Sequence, residues 1–276
     1  MNSKSQRVAT LLLNNRKDDD MKFWDWLGKF NGQITDKKSA NKFLLGSILD
    51  YQIRAETAWE NARRLAEDIL GEPDDLWGCI TSNSKSQWIS KWNEYSLHRF
   101  PKAHERIWRI GNEIVTRYDS DARKIWADQT PAIVLERLNQ LGVGEQIARM
   151  IVGALCDTRQ IVGSGDVKAD IHVRRVLGRV LTGEILSPDK AIEITRGMKP
   201  ENPWLLDKSL YLIGKSFCSA SNPRCDKCYL RHECTFCNTN QMMNHVNLKN
   251  VGNSSKPYTG AATKKLTSAI SQNSKP

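Results

Sequence analysis

The sequence predicts an all-α protein built of many short helices with brief connections, and three observations predict it. Apolar residues recur at helical spacing between about residues 40 and 217. Alternating strand-like runs bounded by turn residues are scarce over the same stretch. A chain of 276 residues, 39% hydrophobic and 26% charged, has the composition of a globular protein with one large core or two modest ones.

Taken in order, Phe43, Leu44, Ile48 and Leu49 begin one helical stripe, and Ile107, Ile110 and Ile114 form a second. Ile147, Met150, Ile151, Ala154 and Leu155 form a third, and Leu205, Leu206, Leu210 and Ile213 lead a fourth into a cysteine-rich segment. Most of the nine Trp fall on such stripes, so core packing is expected of them ahead of stacking on exposed bases. No run of 18 or more apolar residues occurs, and Met1 to Arg16 lack the pattern of a secretory signal. A soluble protein with no membrane association is expected, kept in the cytoplasm. After Cys237 the chain turns to Asn, Ser, Lys, Thr and Gly, and 238–276 are expected to be a disordered basic tail.

The formal net charge of +10 suggests a polyanionic partner. Lys249, Lys256, Lys264, Lys265 and Lys275 supply half of that excess from the tail, so charge alone does not separate nucleic-acid binding from plain solubility.

Four of the seven cysteines fall close together, as Cys218-x6-Cys225-x2-Cys228-x5-Cys234. An odd total of Cys in a chain with no export signal argues against a disulfide knot. Zinc also takes four thiolates, usually from two CxxC pairs. Here one CxxC pair is flanked by single cysteines, which modestly favours an iron–sulfur cubane. Cys79 and Cys156 are expected to be buried thiols and Cys237 a surface residue.

Two further segments carry polar chemistry at helix starts. Leu138-Asn-Gln-Leu-Gly-Val-Gly144 lies between two helical stripes, and its glycines permit a tight turn at positive φ and close approach of a ligand. A helix opening at Gly144 points free N–H groups outward, which seats a phosphate; an ordinary helix end followed by a new helix has the same pattern. Lys168-Ala-Asp-Ile-His-Val-Arg-Arg-Val176 brings Asp170 to the start of another helix, where an Asp most often serves as an N-cap.

The segment FCSASNPRCDKCYLRHEC, residues 217–234, resembles the cluster loop of the endonuclease III and adenine-mismatch glycosylase family, where the same spacing binds one [4Fe-4S] cluster. The resemblance implies a structural cluster on Cys218, Cys225, Cys228 and Cys234, with Arg224, Lys227 and Arg231 in the stretch that meets the DNA backbone. LGVGEQIARMIVGAL resembles the family's helix-hairpin-helix, which implies phosphate contacts by Gly142, Val143 and Gly144 and a bound monovalent cation. Leu141 stands where the family usually has Pro, a departure expected to soften the turn. Asp170, His172, Arg175 and Val176 match the family's catalytic helix start, and Ile171 departs from it. The resemblance implies that Asp170 breaks the bond between base and sugar, since a fixed carboxylate stabilises positive charge on the ring and can orient the attacking water. Asp166, four residues earlier, is the rival carboxylate.

The resemblance covers roughly residues 35 to 235 and implies two helical domains with a DNA cleft between them. Residues 35–158 would form the six-helix domain with the hairpin, 159–237 the domain of the catalytic Asp and cluster, and 1–34 a segment packing with the latter. Strand-cleaving members carry Lys where this chain has Gln146, and an amide cannot form a Schiff base. Gln146 therefore predicts a monofunctional DNA N-glycosylase; Lys168 is the other candidate amine, expected to be solvated. The base must be flipped from the duplex, and Gln52, after the first buried helix, is a candidate to fill the gap. The implied partner is double-stranded DNA, met as a monomer in the nucleoid. The alternatives are a bifunctional glycosylase and lyase using another lysine, and a non-catalytic iron–sulfur DNA-binding protein.

Overall fold

Hydrophobic positions at helical spacing leave one stripe of each helix to be buried, and the chain solves this with helix-on-helix packing around two apolar cores. The computed structural model describes residues 3–15, 34–100 and 102–239. Among the described residues the regular structure is helical, with no strand. Trp24, Trp26, residues 16–33 and nearly all of the expected tail lie outside the described residues.

The central helix of the first core, α2 (Lys37–Leu49), starts at a capping box between Asp36 and Ser39 and is buried from Ala40 to Leu49. Asn41 anchors it by donating to the carbonyl of Ser120 at 2.8 Å and accepting from the amide of Ala122 at 2.9 Å. α3 (Ala55–Arg63) packs so closely that a Cβ on Gly46 would lie 2.3 Å from the Trp59 ring. The core is completed by α4 (Leu76–Thr81), α5 (Lys85–Tyr95), α6 (Lys102–Tyr118), α7 (Arg123–Trp126), α8 (Pro131–Gln140) and α9 (Glu145–Asp157). Ile107, Ile110 and Ile114 of α6 face inward, as their spacing requires. Trp59, Trp77, Trp88, Trp92, Trp126 and Trp204 are buried, so these rings pack the protein rather than stack on bases.

The second core joins α1 (Ser3–Asn14) to α10 (Ile171–Leu181), α11 (Pro188–Met198), α12 (Asp207–Ser216) and the cysteine loop. Val8, Ala9 and Leu12 supply the apolar face of α1. Polar contacts fix the same union: Ser209 Oγ donates to the Leu12 carbonyl at 2.8 Å, and Arg7 Nε pairs with Glu233 at 2.9 Å.

The segment between α9 and α10 carries the polypeptide from one core to the other. A Cβ on Gly165 would sit 2.8 Å from the Cα of Gly153, so two glycines allow this segment to cross directly on α9. Trp204 locks the crossing by donating its backbone amide to Gly165 at 2.9 Å and its indole N–H to Asp157 at 2.7 Å. Lys168 and Asp170 leave this crossing a few residues later.

Candidate active site

Helix α8 ends without a break in hydrogen bonding. Leu141 N–H donates to Arg137 at 3.0 Å, Gly142 N–H to Asn139 at 2.8 Å and Val143 N–H to Leu138 at 3.0 Å. Leu141 therefore makes a bond that a proline could not, and the turn it serves is tight. Gly142 and Gly144 take φ of 79° and 68°, a region that favours glycine. Val143 between them is fully buried. Gly144 begins α9 with no side-chain cap, so the first amides of that helix stay open.

Two arginines of α6 brace the hairpin. Arg106 Nε donates to the Gly142 carbonyl at 3.2 Å, and Arg109 Nη1 to the Leu141 carbonyl at 3.1 Å. A Cβ on Gly142 would meet Arg109 at 2.1 Å. Burial and then the neighbouring Arg109 push the Arg106 pKa below its ordinary value. A monovalent cation at these carbonyl oxygens would share them with two guanidinium groups. Sequence reading missed both arginines because their targets lie more than 30 residues away.

Asp170 caps α10. Its Oδ1 accepts from the amides of His172 at 2.8 Å and Val173 at 3.0 Å, while Oδ2 accepts no hydrogen bond among the described residues. Ile171 beside it is half exposed. One face of α10 then reaches the cysteine loop. Arg175 Nε donates to the Cys218 carbonyl at 2.6 Å, and Arg179 donates to the carbonyls of Ser219 at 2.6 Å and Ala220 at 2.7 Å.

Cys218, Cys225, Cys228 and Cys234 line one cavity, together with Val176, Arg179 and Cys237. Burial raises the thiol pKa of Cys228 to about 11. Among the described residues no group of His, Cys, Asp or Glu stands at the spacing of a single bound metal ion. The four thiols nevertheless converge on one apolar-walled space, which is the donor set an iron–sulfur cubane needs.

Helical architecture, glycine hairpin and capped aspartate invite comparison with known proteins. No protein-family model matches the chain. Endonuclease III of Thermotoga maritima is 22% identical over 203 residues, covering 71% of this chain and 82% of the relative. A trapped endonuclease III–DNA covalent intermediate superposes with a TM-score of 0.56 at 14% identity, covering 82% of this chain and 99% of the other. A thermostable thymine-DNA glycosylase superposes with a TM-score of 0.58 at 14% identity, covering 86% and 98%. The chain therefore has the helical fold of endonuclease III and of the thymine-DNA glycosylase.

Within this fold the remaining candidates fall into distinct environments. Gln146 lies in the first turn of α9 with its Oε1 buried and without a hydrogen-bond partner among the described residues. Asp166 is held by two arginines, Arg149 at 2.6 Å and Arg196 at 2.7 Å, as a structural anchor between α9 and α11. Gln52 sits at φ 53°, with its side chain exposed and its carbonyl accepting from Arg99. Arg224 and Lys227 are exposed, whereas Arg231 is half-buried and lines the cysteine cavity.

Three sequence expectations are overturned. Cys237 is buried on the cysteine cavity rather than at the surface, because Phe236 and the end of the loop fold back against α10. Cys79 and Cys156 are only half-buried. Lys168 is not solvated: its side chain is 19% exposed, and its Nζ donates to Asp50 Oδ2 at 3.0 Å and lies 3.6 Å from Met150 Sδ. Its backbone amide donates to Asp207 at 2.6 Å. Burial opposes the ammonium charge, but Asp50 first and Asp170 next outweigh it, so the pKa stands above the ordinary lysine value. Asp207 is pushed up to about 8 by its own burial and then by the charge of Asp170.

Proposed function

We propose that this protein is a DNA glycosylase of base excision repair that hydrolyses the bond between a damaged, mismatched or modified base and its sugar. The observation that carries the reading is the state of Asp170. Its Oδ1 is held by two amides, so the carboxylate is fixed in place while Oδ2 remains for the sugar or the attacking water. Electrostatic stabilisation is strongest where the stabilising group needs no reorganisation, and a capped helix start supplies that. The open amides of the first turn of α9, after Gly144, would take a phosphate of double-stranded DNA and set its register. Arg224 and Lys227 would add backbone contacts that carry no sequence information. A target base would be turned out of the stack before reaction, with Gln52 a candidate to occupy the gap.

The reading is monofunctional. Gln146 offers no amine, and the nearby amine of Lys168 is held protonated against Asp50, so neither supplies the neutral nitrogen a Schiff base requires. The product would be an abasic site in an uncut strand. Cys218, Cys225, Cys228 and Cys234 would hold a [4Fe-4S] cluster, which when bound cross-links the loop that carries Arg224 and Lys227.

A panel of duplexes, each with one modified or mismatched base, tests this with and without hot alkali. Strand breaks that appear only after alkali, and vanish in Asp170→Asn, are expected for at least one base. Breaks without alkali would contradict the monofunctional reading, and base release unchanged in Asp170→Asn would contradict the role of Asp170.

A further inference from the structure

Asp50 breaks a local rule. It closes the C-terminal end of α2, where the helix dipole is negative and a carboxylate is disfavoured, and it is only 9% exposed. Its compensation is Lys168, 118 positions away, whose ammonium lies 3.0 Å off. A buried ion pair contributes little net stability, because desolvation of both charges offsets their attraction. Such a pair does fix a charge in place.

The position it fixes is informative. Lys168 is two residues before Asp170, and the Met150 it touches lies one turn along α9 from Gln146, on the same helix face. An ammonium has three donors, and among the described residues this one meets a single strong acceptor, Asp50, and a weak thioether. Donor capacity thus remains on an ammonium that feels the charge of Asp170. Opposite charges so close in sequence would ordinarily collapse onto each other. Here Asp50 draws Lys168 aside, and the amides of His172 and Val173 hold Asp170.

The requirement for two separated charges follows from the reaction. When the bond from C1′ to the base nitrogen breaks, its electron pair leaves with the base and positive charge remains on the sugar. Water then adds to C1′, and the proton it gives up ends on the base or in solvent. A carboxylate suits the sugar and a cation suits the departing base. We propose that Lys168, oriented by Asp50, is a second catalytic residue, whose ammonium hydrogen-bonds a carbonyl oxygen of the departing base and stabilises its negative charge. The inference rests on the glycosylase reading and deepens it, since it assigns the substrate class: pyrimidines that leave as anions, rather than purines activated by protonation. Asp50 is a positioning residue, acting through Lys168.

Single-turnover base release from duplexes carrying uracil, 5-fluorouracil, 5-hydroxymethyluracil or thymine opposite guanine tests this in the wild-type protein and in Lys168→Met, each reaction repeated with borohydride. Lys168→Met is expected to slow release by about 10²- to 10³-fold, as when one preorganised donor to developing charge is removed. The loss is expected to be smallest for 5-fluorouracil, whose anion needs the least help. Because Lys168→Met leaves Asp50 buried alone, the double variant Asp50→Asn/Lys168→Met is measured beside it and should show the same dependence on the leaving base. An equal loss for every base, or a loss below about threefold in both variants, would overturn the role of Lys168. A borohydride adduct present in the wild type and absent in Lys168→Met would make it a nucleophile instead. Release of purines but of no pyrimidine would sink this inference and leave the glycosylase reading intact, whereas no release from any duplex in the wider panel would sink both.

Discussion

Helices α9 and α10 begin in opposite ways. Gly144 leaves the first amides of α9 uncapped, while Asp170 gives one carboxylate oxygen to two amides of α10. The open start is suited to an oxygen from outside the protein, and the closed start to immobilising a charge. Both use the same unsatisfied N–H groups. The contrast shows that the residue before a helix decides whether its first amides are taken up by a side chain or left open.

The strongest way to break the comparison is at the closed start. Asp170→Asn keeps an oxygen for the cap but removes the charge, so base release should fall by about 10²- to 10³-fold. Urea unfolding should change by less than about 1 kcal/mol, because Asn is as good an N-cap as Asp. Asp170→Ala should lose the cap as well, and a comparison of the two variants by single-turnover rate and urea midpoint separates charge from capping.

The open start gives the next effect. Gly142→Ala would hold alanine at positive φ against Arg109, a strain of about 1–3 kcal/mol. Fluorescence anisotropy should show weaker DNA binding, with the rate in the saturated complex less affected than in Asp170→Asn. A change confined to that saturated rate would argue that the hairpin does not grip the backbone.

Asp207 sharpens the comparison through pH. Its pKa near 8 lies far above that of an unfolded aspartate, so the folded protein binds more protons between about pH 4 and 8. The stability it contributes is therefore present at low pH and lost as pH rises through 8. Urea midpoints at pH 5 and pH 8 should diverge less in Asp207→Asn than in the wild type. The smallest effect belongs to the exposed loop cations: Lys227→Ala should lower the salt dependence of DNA binding by about one unit of slope, without changing preference among sequences.

Legibility in the sequence followed the range of the contacts. The cysteine spacing, the glycine pair and the Asp170 helix start are local patterns, and each was readable as a motif. Helical periodicity likewise set out the stripes of α2, α6 and α9. Asp50, Arg106, Arg109 and Asp207 carry no such pattern, since each acquires its role from a partner distant in the chain. Lys168 was misplaced for that reason: a lysine among polar neighbours looks solvated until its partner 118 residues away is known. One signal was present in the chain itself, a carboxylate at Asp50 directly after the largely apolar run from Phe43 to Leu49. Cys237 was misjudged because nothing local distinguishes a fifth thiol on the cavity from a tail residue.

The mass of the DNA product tests the central claim most directly. After reaction of the wild-type protein with a duplex it accepts, without alkali, the account predicts a full-length strand that has lost its base and gained a hydroxyl, and unreacted substrate with Asp170→Asn. Shortened strands ending in an unsaturated sugar, or the same abasic product from Asp170→Asn, would contradict it.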